Sequence, residues 1–172
     1  SNEIHLEIGM GKGDFIISKA INNPHINFIG LEKYTSIVAR ALNKLENLDL
    51  PNLRIINGDA LNLNNIFAKE ISTIYLNFSD PWPKYRHSKR RLTSSIFLRI
   101  YDDIFKSKCV IFQKTDNTNL FESSIISLTN YGYKIEDMSL DLWSTDKFYE
   151  ETEYERKFKN QGVKINYLKA TK

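Results

Sequence analysis

Strand-like and helix-like segments alternate along almost the whole of this 172-residue chain. Residues 3–8 alternate in the manner of a half-buried strand, whereas residues 15–21 place their apolar side chains at helical spacing. The other predicted strands are 27–31, 53–57, 72–78, 108–114, 133–142 and 163–170, and the other predicted helices are 34–48, 63–68, 93–105, 119–130 and 150–159. This regular alternation predicts an α/β fold with a mostly parallel sheet that helices cover on both faces.

The alternation breaks near the end of the chain, where the last two predicted strands flank a single polar helix. That change predicts an antiparallel closing strand. No repeat, low-complexity tract or linker-like composition divides the sequence, so we expect one domain over residues 1–172. The first strand begins almost at the first residue, which suggests that a segment preceding it is missing.

Composition limits the class of protein. At 41% hydrophobic and 26% charged residues, the chain is typical of a globular protein. No apolar stretch is long enough to span a membrane and no leader opens the chain, so we expect a cytoplasmic protein. The single cysteine, Cys109, lies in the apolar run CVIF, which favours a buried structural thiol over a nucleophile. The three histidines have no metal-ligand spacing, and we expect no metal.

A glycine-rich loop, GMGKG, follows the first predicted strand. In open parallel sheets, ligands bind beyond the carboxyl ends of the strands, and glycines there allow the backbone to approach a ligand closely. Gly9, Gly11 and Gly13 have this position, although Asp14 stands where the dinucleotide-binding pattern G-x-G-x-x-G has its last glycine. The loop therefore predicts a ligand site, with a simple tight turn as the alternative.

Four carboxylates lie in or after the first four predicted strands. Glu7 lies inside the first strand, where a charge needs a polar partner such as a ligand ammonium. Glu32 ends the second strand, as a ribose-binding acid or a solvated charge, and Asp59 follows the third, as an adenine contact or a helix cap. With Asp80, which ends the fourth strand, these acids favour a cationic ligand that contains a ribose. S-adenosylmethionine fits this pocket better than NAD, so an NAD-dependent oxidoreductase is disfavoured.

The stretch NFSDPWPKYRHSKRRL joins that presumed pocket to a basic cluster. Five of the eight residues from 84 to 91 are Lys or Arg, although the net charge of the chain is only +3. Pro81 and Pro83 restrict the backbone around Trp82, whose ring is either a stacking face for an extruded base or a packed corner. Because the cations follow directly from the predicted site, we expect them to bind the phosphates of RNA or DNA.

These segments together carry a family resemblance. LEIGMGKG, GLEKY, NFSDPWPKYRHSKRRL, KTDN with the following LF, and TEYERKF resemble the bacterial tRNA (guanine-N7-)-methyltransferase family, in the same order and over nearly the whole chain. The resemblance implies a Rossmann-like class I methyltransferase fold with a seven-stranded sheet. It also implies transfer of a methyl group from S-adenosylmethionine to N7 of guanine 46 in the variable loop of tRNA.

The resemblance also implies which residues make each kind of contact. The cofactor-binding positions are Glu7, Gly9, Gly11, Gly13, Glu32, Asp59, Ala60 and Asp80, and Asp80 is also the catalytic position. The substrate-binding positions are Lys84, Asp116, Thr152, Glu153, Tyr154 and Glu155. The RNA-binding positions are Arg86, His87, Ser88, Lys89, Arg90 and Arg91. Because Thr152 and Glu155 also form the pattern of a helix-capping box, a structural role competes with substrate contact there.

The implied reaction sets requirements on the site. Guanine N7 carries a lone pair and no proton, so no general base is needed, and we expect Asp80 or Asp116 to accept hydrogen bonds from guanine N1–H and the 2-amino group. Two other functions remain open: methylation of an adenine amino group in nucleic acid, and RNA binding without catalysis. We expect tRNA as the partner and no obligate protein partner, whether the chain is a monomer or a homodimer.

Overall fold

The computed structural model describes residues 2–145 and 151–172. These residues form seven strands: β1 (Ile4–Ile8), β2 (Asn27–Glu32), β3 (Leu53–Asn57), β4 (Ile71–Asn77), β5 (Phe105–Thr115), β6 (Lys134–Ser139) and β7 (Asn166–Thr171). They also form six α-helices: α1 (Asp14–Asn22), α2 (Thr35–Leu45), α3 (Leu63–Ile66), α4 (Ser95–Ile104), α5 (Thr118–Tyr131) and α6 (Glu153–Asn160). Three short 3-10 helices lie at Ala60–Asn62, Tyr85–Arg90 and Leu142–Ser144.

The strands form one mixed sheet in the order β3-β2-β1-β4-β5-β7-β6. β1 to β5 are parallel, and β7 pairs antiparallel with both β5 and β6. The predicted α/β class, the seven strands and the antiparallel closing strand are thus confirmed. The strand order reverses between β1 and β4, and the carboxyl ends of these two strands mark the place where open α/β sheets bind their ligands.

Helices α3, α4 and α5 pack on one face of the sheet. Leu98 and Tyr101 of α4 and Phe121 of α5 are buried against strand residues such as Leu76. Cys109 belongs to the same cluster, and burial raises the pKa of its thiol. The prediction of a buried structural cysteine is therefore confirmed.

Helices α1 and α2 cover the opposite face. Ile16 of α1 and Ala41 of α2 pack there with Phe28 and with Tyr75 of β4. Tyr75 lies between two β4 residues whose side chains join the other cluster, because successive side chains of a strand point to opposite faces. Helices therefore cover both faces, as predicted. No helix in the described ranges combines the length and apolar character that crossing a bilayer requires.

Several element boundaries differ from the sequence prediction. The helix predicted at 34–48 ends at Leu45, and that predicted at 93–105 ends at Ile104, because β5 begins at the next residue. Only one α-helical turn, α3, forms in the segment 63–68. The predicted polar helix 150–159 is α6, which begins after the capping residue Thr152, whereas Glu150 lies outside the described residues. The 3-10 helix of the basic segment was not predicted.

Candidate cofactor and substrate site

The glycine loop opens directly from the end of β1. The N–H groups of Gly9 and Met10 both donate to the carbonyl of Leu31 in β2, at 2.9 and 3.0 Å, so the chain turns sharply at this point. Gly9 and Gly11 have φ values of 75° and 58°, a backbone conformation that residues with a side chain rarely adopt. A Cβ atom on either glycine would meet nothing within 4 Å. The backbone of the loop therefore faces open space, and a ligand can approach it closely.

Gly13 has a packing role at the start of α1. A Cβ atom on this residue would lie 3.4 Å from both Ala41 of α2 and Ile17 of α1. Asp14, which stands in place of the missing glycine, forms ion pairs with Lys44 at 2.5 Å and with Arg156 of α6 at 3.2 Å. These contacts hold three helices together beside the loop.

Glu32 fastens the glycine loop to the end of β2. Its Oε2 atom accepts a hydrogen bond from the N–H of Gly11 at 3.0 Å, and its Oε1 atom accepts one from the N–H of Tyr34 at 3.2 Å. The side chain is buried. Glu32 is therefore not a solvated surface charge, which was one alternative from the sequence. Its carboxylate shapes the loop on which any ligand would lie.

Glu7 lies at the bottom of the cleft with Asn77 of β4. It is only 2% exposed, and its Oε1 atom accepts a hydrogen bond of 3.0 Å from Asn77 Nδ2. Within the described part of the chain, Glu7 Oε2 and Asn77 Oδ1 are buried without a hydrogen-bond partner. Burial raises the pKa of Glu7 to about 8, against the lowering effect of the Asn77 hydrogen bond. Two unpaired acceptors at the base of a cleft suit a donor such as an ammonium group.

The cleft is bounded by the glycine loop, the end of β4 and the start of α6. Its lining residues are Glu7, Gly9, Met10, Gly11, Lys12, Gly13, Asp14, Phe15, Asn77, Phe78 and Thr152. Of the four acids predicted to share a pocket, Glu7 lines the cleft and Glu32 supports it through Gly11. Asp59 and Asp80 follow the ends of β3 and β4, farther along the same edge of the sheet.

Asp59 caps the 3-10 helix that begins at Ala60. Its Oδ1 atom accepts a hydrogen bond of 2.9 Å from the N–H of Leu61, and its Oδ2 atom lies 3.4 Å from Lys33 Nζ. The helix cap, an alternative from the sequence, is therefore present. Asp59 and Ala60 lie at the predicted strand end, where adenine contact stays a prediction.

The start of α6 is fixed by a capping box and an ion pair. The hydroxyl of Thr152 accepts from the N–H of Glu155 at 3.0 Å, and the carboxylate of Glu155 accepts from the N–H of Thr152 at 3.1 Å. Glu155 Oε1 also lies 2.8 Å from Lys114 Nζ, and both side chains are buried. Burial raises the pKa of Glu155, although Lys114 opposes the shift. The side chains of Glu153 and Tyr154 lie outside the described residues.

Asp80 and Asp116 are exposed carboxylates beyond neighbouring strands. Asp80 lies three residues after β4 rather than at its end, and Asp116 directly follows β5. Neither carboxylate has a hydrogen bond or an ion pair within the described residues. Phe78 and Trp82, on either side of Asp80, have φ values of 52° and 44°. Such values are uncommon for bulky side chains, and backbone strain of this kind clusters at functional sites.

The basic segment, residues 84–91, is held against this strained corner. Arg91 donates from Nε to the carbonyls of Pro81 and Trp82 at 3.2 Å, and from Nη2 to the carbonyl of Trp82 at 3.0 Å. The guanidinium of Arg90 lies 5.0 Å from the centre of the Trp82 ring, and His87 contacts the ring edge-on at 5.7 Å. Trp82 is half-buried. These contacts indicate a packed corner, which was one of the two alternatives for Trp82 from the sequence.

The basic segment carries five cationic side chains. No carboxylate among the described residues forms an ion pair with Lys84, Arg86, Lys89, Arg90 or Arg91. Ser88 is half-buried and its carbonyl accepts from the N–H of Arg91 at 3.2 Å. The segment is therefore a positively charged surface that follows Asp80 closely in the chain.

Sequence reasoning missed three residues of this region. Asn77, the partner of Glu7, was marked only by its place at the end of an apolar strand. Lys114 was part of the recognised KTDN segment but not identified as the partner of Glu155. Tyr85 is 90% exposed within the basic segment. An aromatic residue between Lys84 and Arg86 was the feature of the sequence that could have identified it. No group of three or more potential metal ligands occurs among the described residues.

Solved structures share this fold at low sequence identity. The 16S rRNA methyltransferase KamB is 16% identical with a TM-score of 0.74, over 99% of this chain and 87% of that one. The 16S rRNA (adenine(1408)-N(1))-methyltransferase from Catenulisporales acidiphilia, with cosubstrate SAM, is 13% identical with a TM-score of 0.68, over 99% and 86%. Fibrillarin from Aeropyrum pernix, with natively bound S-adenosyl-L-methionine, is 16% identical with a TM-score of 0.61, over 99% and 66%.

A family model adds what these distant structures do not. The methyltransferase family Methyltransf_4 matches residues 1–168, nearly the whole chain, which confirms the resemblance seen in the sequence. The glycine loop and the unpaired acceptors of Glu7 and Asn77 lie at the carboxyl ends of β1 and β4, where open α/β sheets bind their ligands. The chain is therefore an S-adenosylmethionine-dependent methyltransferase that belongs to Methyltransf_4, the family of the tRNA (guanine-N7-)-methyltransferases.

Proposed function

We propose that this enzyme methylates N7 of guanine 46 in the variable loop of tRNA. The observation that carries the proposal is the position of the basic segment, residues 84–91, which follows Asp80 and the cleft residue Phe78 within a few residues of the chain and has no ion pair among the described residues. A phosphate-binding surface at that place delivers a nucleotide, rather than a small molecule, to the reacting methyl group. The family supplies the choice of guanine N7 and of tRNA.

The residues of the cleft fit S-adenosylmethionine. When bound, this cofactor supplies an electrophilic methyl group on a sulfonium. Within the described residues, Glu7 Oε2 and Asn77 Oδ1 are unpaired acceptors that suit the ammonium group of the cofactor. The backbone at Gly9 and Gly11, which has no side chains, leaves space for its methionine portion. Glu32 ends β2 and Asp59 follows β3 on the same edge, where they suit the ribose and the adenine.

The chain has to align guanine rather than to activate it. N7 carries an in-plane lone pair and no proton, so the protein does not need a general base, and orientation alone can contribute about 7–11 kcal/mol. The rigid corner at Pro81 to Pro83, fastened by Arg91, fixes the position from which Asp80 extends. The side chains around the base thus determine the angle at which N7 meets the methyl group.

An exposed carboxylate selects guanine. N7 and O6 are acceptors that a carboxylate would repel, whereas N1–H and the 2-amino group are a donor pair that it binds. Asp80 and Asp116 follow adjacent parallel strands, and each is free of internal partners within the described residues. A carboxylate at this place also stabilises the positive charge that develops on the purine as N7 becomes methylated.

The test is methylation of a defined tRNA followed by mapping of the product. The enzyme is incubated with tritium-labelled S-adenosylmethionine and an unmodified tRNA transcript, and the labelled nucleoside is then identified. We expect 7-methylguanosine at position 46. Transcripts with adenosine at that position, or with 7-deazaguanosine, should accept no label.

The same assay separates the alternatives. Labelled 6-methyladenosine, or labelling that persists with 7-deazaguanosine, would overturn the proposal in favour of methylation of an amino group. An enzyme that binds tRNA but transfers no label to it would indicate an RNA-binding role or a different substrate. Calorimetry with the cofactor then distinguishes these two, because a silent module has no need to bind it.

A further inference from the structure

We propose that Tyr85 is a stacking platform for an unpaired base of the RNA substrate. It is 90% exposed, the largest exposure among the large apolar and aromatic side chains of the described residues. A ring presented to water in this way buries little apolar area within the protein, so it contributes little to folding. This inference rests on the proposed function, since it supposes that the basic segment binds RNA.

The ring stands among cations that no carboxylate of the described residues neutralises. Lys84 and Arg86 are its chain neighbours, and Lys89 and Arg90 complete the same 3-10 helix. All four side chains are exposed and lack ion pairs within the described residues. Aromatic rings with cations on either side are the typical surface for single-stranded nucleic acid, because the cations bind phosphates while the ring stacks on a base.

The other aromatic ring of this segment is already engaged. Trp82 is half-buried, with the Arg90 guanidinium 5.0 Å from its ring centre and His87 at its edge. The stacking role that the sequence allowed for Trp82 is therefore better suited to Tyr85. Trp82 instead supports the segment from which Tyr85 projects.

Hydrogen bonds hold the backbone below Tyr85 in place. The N–H of His87 donates to the carbonyl of Lys84 at 2.9 Å, and the N–H of Arg91 donates to the carbonyl of Ser88 at 3.2 Å. Arg91 then joins the end of this 3-10 helix to the carbonyls of Pro81 and Trp82. A ring on a fixed support loses little conformational entropy when a base stacks on it, which favours binding.

The test compares Tyr85→Ala and Tyr85→Phe by tRNA affinity across a salt titration. One stacked base is worth about 1–3 kcal/mol, so Tyr85→Ala should weaken binding roughly 5- to 100-fold. The slope of affinity against salt should stay unchanged, because stacking releases no counterions. Tyr85→Phe should retain most of the affinity, since it keeps the ring. Arg86→Ala, in contrast, should lower the salt slope by about one.

The matched control is Ile126→Ala, which truncates a 61% exposed apolar residue of α5 outside the basic segment. Each variant is also tested on an unstructured polyuridine oligonucleotide. If Tyr85→Ala weakens binding of that oligonucleotide while the wild-type enzyme leaves tRNA unmethylated, stacking stands and the proposed function fails. If Tyr85→Ala binds both RNAs as tightly as Ile126→Ala does, the stacking proposal is overturned, whatever the enzyme methylates.

Discussion

Lys114 Nζ lies 2.8 Å from Glu155 Oε1, and both side chains are buried. Lys114 belongs to β5, which leads into Asp116, and Glu155 belongs to the first turn of α6, where it completes the capping box with Thr152. The ion pair therefore joins the strand before a predicted substrate contact to the helix whose start lines the cofactor cleft. This arrangement favours a positioning role for Glu155 over direct contact with the substrate.

Breaking this pair should destabilise the protein strongly. Glu155→Gln removes the carboxylate that lies 2.8 Å from the buried Lys114 ammonium, and removal of one partner of a buried pair typically costs about 3–5 kcal/mol. Unfolding in urea measures the free energy of unfolding. Calorimetry should show weaker cofactor binding, because the ion pair no longer anchors α6, whose start lines the cleft, to β5.

A matched exposed pair provides the control. Glu151 lies 3.4 Å from Lys159 on the surface, and Glu151→Gln should change the free energy of unfolding by less than about 0.5 kcal/mol. The double variant Lys114→Met with Glu155→Leu should recover part of the stability that Glu155→Gln loses. Equal effects of Glu155→Gln and Glu151→Gln would contradict the assigned role of the buried pair.

Cofactor binding should depend on the protonation of Glu7. Its pKa is raised to about 8, so the free enzyme at pH 7 keeps this carboxyl mostly protonated, whereas a bound ammonium favours the carboxylate. The affinity advantage of the wild-type enzyme over Glu7→Gln should therefore grow as pH rises toward 8 and level off above it. Calorimetry at several pH values measures the Kd of the wild type and of Glu7→Gln. Because both bind the same ligand, the titration of the ligand does not affect the ratio of the two Kd values. A ratio that does not change with pH would refute this role of Glu7.

The same carboxyl should make the free enzyme less stable at higher pH. Its pKa in the folded protein, about 8, exceeds the ordinary value of 4.5, so the folded state binds more protons between these pH values. Stability is then lost as pH rises toward 8. Without cofactor, Glu7→Gln should have a higher Tm than the wild type at pH 8, and the difference should shrink toward pH 4.5. Lys114, Glu32 and Asp14 act on Glu7 electrostatically, and the substitution leaves them in place.

Periodicity was sufficient to predict the architecture of this protein but not all of its boundaries. Alternating strand and helix patterns identified the strands that form the sheet, because burial on one or both faces leaves a regular trace in a sequence. The basic segment left no such trace. Its 3-10 helix has no buried face, and the hydrogen bonds of Arg91 to a neighbouring turn hold it in place.

The site was predictable where it depends on position along a strand. Glu7, Glu32 and the glycine loop were identified because the carboxyl ends of parallel strands meet at one edge. Contacts between distant segments were not predictable, since the partnership of Asn77 with Glu7 depends on how two strands 70 residues apart are aligned. The pairing of Lys114 with Glu155 depends in the same way on where α6 docks.

Both exposed carboxylates should contribute to turnover of tRNA. Asp80→Ala and Asp116→Ala should each lower kcat/KM for tRNA roughly 10- to 100-fold, about the loss of one charge-assisted hydrogen bond. Asp49→Ala removes an exposed carboxylate between α2 and β3 and should leave kcat/KM unchanged. If Asp116→Ala had the same kcat/KM for tRNA as Asp49→Ala, the proposed role of Asp116 in the site would be wrong.

A lysine should replace Arg86 without loss of activity, whereas it should not replace Arg91. Arg91→Lys keeps the charge but loses the planar group that donates to two carbonyls, so the corner beside Asp80 loosens and kcat should fall more than tRNA affinity. Arg86 is exposed and makes no such contacts within the described residues, so Arg86→Lys should behave nearly as the wild type. Steady-state kinetics measure both. Indistinguishable kcat values for the two variants would argue against a positioning role for Arg91.

The most direct test of the cofactor site is a crystal structure of the enzyme with S-adenosylhomocysteine. We expect the amino group of the ligand within hydrogen-bonding distance of Glu7 Oε2 or Asn77 Oδ1, with its chain along Gly9 and Gly11 and its sulfur directed toward Asp80. A ligand that lies elsewhere on the sheet, with those two acceptors still unpaired, would contradict the account.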